Sequence, residues 1–199
     1  MQVVYRAISY LLYPGSMAVL GLGFAHRIHP VSAIVWVWFL LGSVVFPLVS
    51  LALLIRLGKV SDIFVFKREQ RHVLYALGIV FSGIASWFIF RENAIPAMIW
   101  SINNTVVLAL LFVINFMGYK ISAHMAGAAG LLGWVMSLQM ATAPVFSAFL
   151  MVLAVYGARK GLSAHSHFEL LLGFCLGLFV TFALACLLLT HYGISCSFI

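Results

Sequence analysis

The chain has 199 residues, 65% of them hydrophobic and 8% charged, with a mean hydropathy of +1.16. A soluble domain covers its surface with about 25% charged residues, so this composition excludes an ordinary water-soluble globule and predicts an all-α integral membrane protein. The net charge of +7 comes from 11 Lys and Arg against 4 Asp and Glu. In a soluble chain it would suggest nucleic acid, but these cations lie in short connections between apolar stretches, where membrane lipid or phosphate is the expected partner.

A bilayer crossing takes roughly 20 predominantly apolar residues. On that rule the predicted spans are, in chain order, 7–25, 31–55, 73–90, 95–117, 123–140, 143–156 and 168–189. Stretch 143–156 is short for a crossing and reads as tilted or partly interfacial. The expectation is a multi-pass helical bundle of six to seven transmembrane helices forming a single domain over 1–199. Only Arg6 precedes the first apolar run and no clear small-residue cleavage site follows it, so that run reads as an uncleaved span rather than a signal peptide. Small residues recur where helices can touch: Gly127, Gly130 and Gly133 in the fifth span, and Gly173 with Gly177 as a G-x-x-x-G in the seventh. They read first as packing within the chain, with homo-oligomerisation as the alternative. The three cysteines, Cys175, Cys186 and Cys196, have neither an even count nor metal-ligand spacing. They predict neither a disulfide framework nor a zinc site.

Alternate crossings sort the connections onto two faces. The N-terminus and the connections 56–72, 118–122 and 157–167 share one face, which holds Arg6, Arg56, Lys59, Lys67, Arg68, Arg71, Lys120, Arg159 and Lys160, nine of the eleven cations; Arg27 and Arg91 lie on the other. The positive-inside rule puts the crowded face in the cytoplasm, and the expected location is a prokaryotic cytoplasmic (inner) membrane. A phosphate site on that face would gather cations for a different reason, so the side it meets stays open.

The same face collects Asp62, Glu69 and Glu169 of the four acids, and His72, His124, His165 and His167 of the seven histidines. The segment Ala158-Arg159-Lys160-Gly161-Leu162-Ser163-Ala164-His165-Ser166-His167-Phe168-Glu169 opens the seventh span with the spacing R-x5-H-x3-E. With His165 in the first turn, Glu169 lies one turn further on the same face and accepts from an imidazole N–H. Arg159, in the preceding loop, offers a planar fork for phosphate oxygens. This pattern reads equally as a nucleophile or base with its orienting acid and as an interfacial salt-bridge cluster. The segment Lys120-Ile121-Ser122-Ala123-His124 opens the fifth span with Ser122 as N-cap, and helix starts cradle anions. Alone, His124 reads as an interfacial histidine or a catalyst, and Lys120 as a phosphate contact or a snorkelling cation. Ser101, Asn103, Asn104 and Thr105 form a polar patch expected to bond between helices. His167 falls on a different helical face from His165 and is expected at the interface.

Taken together, the two segments resemble the type 2 phosphatidic acid phosphatase superfamily, membrane lipid phosphatases that share a site with vanadium-dependent haloperoxidases. That family's second motif, P-S-G-H, is approximated by Ile121-Ser122-Ala123-His124, and its third, S-R-x5-H-x3-D, by Ala158-Arg159 through His165 to Glu169. The motif resemblance runs from Ile121 to Glu169, and the two segments lie two spans apart, as in the family. The chain departs from the pattern at Ile121, Ala123, Ala158 and Glu169. The first motif, K-x6-R-P, is represented only by the cations of Lys67-Arg68-Glu69-Gln70-Arg71, with His72 in place of the proline.

The resemblance implies a hydrolase that removes phosphate from a lipid or isoprenoid phosphate or diphosphate without a metal or other cofactor. In it, His165 attacks phosphorus, Glu169 orients His165, and His124 protonates the leaving oxygen. Arg159, Lys67, Arg68, Arg71, Ser122 and Lys120 hold the phosphoryl oxygens. The reading from another class is a non-catalytic membrane subunit, or an anionic-lipid-binding protein, that uses the same fold within a larger membrane complex.

Overall fold

A computed structural model describes residues 1–63, 65 and 67–196. Among the described residues every regular element is helical. In chain order these are α1 (Gln2–Leu11), α2 (Pro14–Ile28), α3 (Ala33–Leu40), α4 (Phe46–Arg56), α5 (Arg71–Arg91), α6 (Ile95–Phe116), α7 (Ala123–Ser137), α8 (Thr142–Gly161) and α9 (His167–His191). A π-helical turn, Leu41–Val45, joins α3 to α4, and a 3-10 turn, Arg68–Gln70, leads into α5. Five of these stretches are long and apolar enough to cross a membrane: Ala33–Arg56, Arg68–Arg91, Ile95–Phe116, Thr142–Gly161 and His167–His191. A sixth is reached if α1 and α2, bent by 44° at their junction, form one crossing.

Three of the expected spans change. The first is broken, because Pro14 opens α2: its ring disfavours helical backbone at Tyr13, and it has no N–H to continue the ladder of α1. The fifth, α7, has 15 residues, about 22 Å at 1.5 Å per residue and shorter than a hydrocarbon core of about 30 Å. The sixth is longer than expected, since α8 has 20 residues and runs on through Arg159 and Lys160. Arg159 is thus a last-turn helix residue rather than a loop residue. Cations there complement the carbonyl end of the helix dipole.

The chain forms two compact units, one made of Met1–Ile28 together with the part onward from Ile121, the other of His29–Lys120. In the first unit α7 is the central helix, packed by α2, α8 and α9, while α1 lies against α8. Met125, Ala126 and every residue from 128 to 135 are buried, so α7 is apolar and covered on all sides. Its tightest neighbour is α9, parallel to it. A Cβ at Gly173 would stand 2.7 Å from the Ser122 carbonyl oxygen, one at Gly177 2.1 Å from that of Ala126, and one at Gly133 2.7 Å from that of Leu178. The G-x-x-x-G pair is therefore spent on contact within the chain. α2 also runs parallel to α7, with Pro14 against Gly127 and the Trp134 indole N–H donating to the Gly21 carbonyl at 2.9 Å. After α9 the chain turns back through Gly193, at φ +73°. Gly193 N–H bonds to Thr190 O and Ile194 N–H to Leu189 O, the pairing of a left-handed helix cap. That reversal brings Cys196 onto the helix, where it is disulfide-bonded to Cys186, with Cα atoms 5.3 Å apart. This corrects the cysteine expectation: an odd count still allows one pair, here with Cys175 left as a thiol.

In the second unit, α3, the π turn and α4 pack on α5, and α5 packs on α6. Pro47 stands at the start of α4 and cannot donate to the preceding turn, which is where the ladder loosens to π geometry. At that turn Gly42 presses on α5; a Cβ there would stand 2.7 Å from Phe81 O. The polar patch of α6 divides. Ser101 bonds across to Ser86 at 2.8 Å and Thr105 to Ser82 at 3.0 Å. Asn103 and Asn104 instead donate back to the carbonyls of Ile99 and Trp100 on their own helix.

Gly177→Ala is expected to lower the stability of the purified protein by about 1–3 kcal/mol, the usual cost of overpacking a closed contact. Gly157→Ala, on α8 with nothing within 4 Å of its Cβ position, is expected to be neutral or slightly stabilising. Thermal unfolding of the two variants in one detergent checks both.

Candidate active site

The His124, Arg159, His165 and Glu169 part of the site expected from the sequence rests on three helix ends in the first unit. The end of α8 is closed by Ser163, at φ +52°, whose N–H bonds to Lys160 O while Ala164 N–H bonds to Arg159 O at 3.1 Å. This is the same left-handed cap that glycine makes elsewhere in the chain, and a serine holds that conformation at some cost in backbone strain. It ties the last turn of α8, with Arg159, to the residues that carry His165.

His165 stands just before Ser166, the N-cap of α9, and so precedes the first turn instead of lying in it. The expected bond is present nonetheless: His165 Nδ1 lies 3.0 Å from Glu169 Oε2. The same carboxylate oxygen accepts from Ser166 N–H at 3.0 Å, while Ser166 Oγ accepts from Glu169 N–H at 3.2 Å. Glu169 therefore closes a capping box and holds the imidazole at once. The His165 side chain is 2% exposed and that of Glu169 23%. Arg159 is also buried, at 1%.

Ser122 caps α7 as expected, its Oγ accepting from Met125 N–H at 3.4 Å. Its own N–H points to Glu169 O at 3.4 Å, so the starts of α7 and α9 adjoin. His124 is in the first turn of α7. Its Nε2 lies 3.2 Å from Ser9 O, and its ring meets Tyr13 edge-on at 5.9 Å. The two histidine segments and Arg159 are thus linked by backbone contacts within one unit.

Lys67, Arg68, Arg71 and Lys120 belong to the second unit. There Arg68 Nη1 donates to Asn115 O at 3.1 Å, Asn115 Nδ2 donates back to Arg68 O at 3.2 Å, and Arg68 also pairs with Glu69 at 3.4 Å. Arg71, 6% exposed, donates from Nε to Val65 O at 2.8 Å. Arg68 thus braces the 3-10 turn against the C-terminal end of α6, whose carbonyls favour a cation, while Arg71 holds the connection that precedes the turn. Lys67 is exposed and Lys120 half-buried. His167 is exposed and hydrogen-bonds through Nδ1 to the Tyr156 hydroxyl.

Residues not anticipated are Ser166, Ser9 and Tyr13. Ser166 was legible, since Ser166-His167-Phe168-Glu169 has the S-x-x-E pattern of a capping box. Ser9 and Tyr13 were not, because Ser9 lies 115 residues before His124 and Tyr13 stands nearby at the break between α1 and α2. Among the described residues no three His, Cys, Asp or Glu side chains gather as a metal ion would need. Comparison of the chain with protein-family models, with curated proteins and with solved structures found no match.

Ser166→Ala removes one half of the capping box and leaves His165 and Glu169 in place. It is expected to lower stability by about 1 kcal/mol, the usual value of an N-cap hydroxyl, in a thermal or denaturant unfolding series.

Proposed function

We propose that this chain is a multi-pass integral membrane protein that hydrolyses a lipid or isoprenoid phosphate or diphosphate through a phosphohistidine, in the manner of the type 2 phosphatidic acid phosphatases. The long apolar helices support the membrane setting. The observation that carries the catalytic reading is the His165–Glu169 pair seated beside the capped start of α7 that bears His124.

A carboxylate only accepts, so the bond to Glu169 puts the proton of neutral His165 on Nδ1 and the lone pair on Nε2. Nε2 attacks phosphorus, the P–N bond forms as the P–O bond to the lipid breaks, and Glu169 stabilises the imidazolium produced. The Ser9 carbonyl likewise only accepts, which keeps a proton on Nε2 of His124 and assigns proton exchange to Nδ1. His124 gives a proton to the leaving oxygen. Neutral again, it takes one from water, whose oxygen attacks phosphorus; the P–N electrons return to His165 and inorganic phosphate leaves. Arg159 and the amides at the start of α7 are suited to the charge on the phosphoryl oxygens, with Ser122 fixing that start. Lys67, Arg68, Arg71 and Lys120 are further candidates for phosphate contact.

A second reading, a non-catalytic membrane subunit or anionic-lipid-binding protein, draws on the structural duties of the same residues. Glu169 completes a helix cap, and Arg68 and Arg71 each hold a backbone carbonyl.

Phosphate release from a panel of lipid and isoprenoid phosphates and diphosphates, measured with EDTA present in detergent and in lipid, separates the two. On the enzymatic reading the wild type releases phosphate, His165→Ala abolishes release, and His124→Ala lowers it by about 10²- to 10⁴-fold, the usual contribution of a general acid–base group. Folded wild type that releases none from any substrate leaves the binding subunit.

A further inference from the structure

α1 lies far outside the motif segments in sequence and nevertheless reaches the site. Tyr5, Ser9 and Tyr13 are spaced four apart, the interval that lines one face of a helix. Tyr5 lies against Gly161 at the close of α8. Tyr13, just past the end of α1, meets the His124 ring at the start of α7, and Ser9 stands between the two tyrosines. α1 therefore reaches from the helix end that bears Arg159 to the helix start that bears His124, with Ser9 on the face turned inward. Ser9 is buried, whereas Ile8 before it is half-buried and Tyr10 after it exposed.

The carbonyl of Ser9 is among the last in α1, where a helix leaves carbonyls without partners of its own, and it accepts from His124 Nε2 at 3.2 Å. The hydroxyl is a different matter. Ser9 is 2% exposed, and its Oγ has no hydrogen-bond partner among the described residues. A helical serine has one within reach, the carbonyl a turn back: Ser86 bonds to Ser82 O and Ser147 to Ala143 O, both at 2.8 Å. Ser9 makes no such bond to Tyr5. A buried hydroxyl left unpaired costs stability, and folded proteins carry few of them. Close packing of α1 would be served as well by alanine, which is as small, forms helix more readily and has nothing to satisfy.

We infer that Ser9 is a further catalytic residue, its hydroxyl donating to a non-bridging oxygen of the phosphoryl group on the His124 side. This rests on the phosphatase reading of His124 and His165. Arg159 and His165 are 1% and 5% exposed, so the hydroxyl is no less accessible than groups that reading already requires. The oxygen it meets stays on phosphorus from substrate through phosphohistidine to inorganic phosphate. The contact therefore persists to the product, and no covalent bond of Ser9 is made or broken. Arg159 from α8 and Ser9 from α1 approach the phosphoryl group from two elements, a charged donor and a neutral one.

Ser9→Ala tests this, since it deletes the hydroxyl and keeps the carbonyl that holds His124. In the purified full chain, kcat/KM for the best substrate of the lipid phosphate panel is expected to fall about 10- to 100-fold, the usual worth of one hydrogen bond to a charged group. The inhibition constant of added inorganic phosphate is expected to rise by about tenfold, because the product keeps the same contact. The thermal midpoint without phosphate is expected to equal or exceed that of the wild type, since alanine leaves no hydroxyl unsatisfied. Unchanged kcat/KM and unchanged phosphate inhibition overturn the inference and leave the phosphatase reading standing. A lowered midpoint, or a variant that does not fold, overturns it too, because the hydroxyl is then bonded within the protein. Wild type that releases phosphate from no substrate ends both readings.

Discussion

Two glycines on α9 set the distance on which the first unit is built. At Gly173 and Gly177 the backbone of α9 lies directly against that of α7, closer than any side chain would permit. Helices in an apolar solvent gain little from hydrophobic contact with one another, so association falls to close packing, and small residues are what allow it. The consequence reaches the helix starts. With Gly173 seated on the Ser122 carbonyl, the start of α7 comes within reach of the first turn of α9, and Ser122 N–H meets Glu169 O. Any bulk at these glycines separates the elements that carry His124 and His165.

The candidate site is assembled largely from helix-end chemistry. Ser166 and Glu169 form a capping box, Ser122 is an N-cap, and Ser163 closes α8 in a left-handed cap. Each satisfies backbone groups that a helix end leaves without partners inside the helix. Glu169 has one oxygen shared between the Ser166 amide and the His165 ring, so the feature that ends one structural problem also orients the imidazole. Structural and chemical readings of this residue are therefore not rivals at the level of geometry. They differ in what they expect of the histidine beside it.

The cations divide along similar lines. Arg68 and Arg71 support the segment before α5 through carbonyls, Arg68 at the C-terminal end of α6, where a cation is favoured, and Arg71 at Val65. Arg159 is different in kind, a buried guanidinium in the last turn of α8, one left-handed turn away from His165. A charge at that depth is costly unless polar or anionic groups meet it, and on the proposed reading the substrate phosphate would be one of those groups.

Much of this was readable from residues alone. Composition determined that the chain is helical and apolar, because 8% charged residues cannot cover a water-facing surface. Local spacing determined the Ser122 cap and the His165–Glu169 bond, since both are contacts between residues three or four apart. Pro14 and Gly193 act through equally local rules, yet the expected span 7–25 ran through the first and the second was not read as a cap. Tertiary structure decided what depends on distant neighbours: that α7 is a short, fully covered helix and not a crossing by length, that Gly173 and Gly177 face α7, that Ser9 and Tyr13 reach His124, and that Cys196 returns to Cys186. A sequence specifies the torsions and caps of one helix through its near neighbours. Which face of that helix is covered, and by what, is settled only when helices far apart in the chain compete for the same contact.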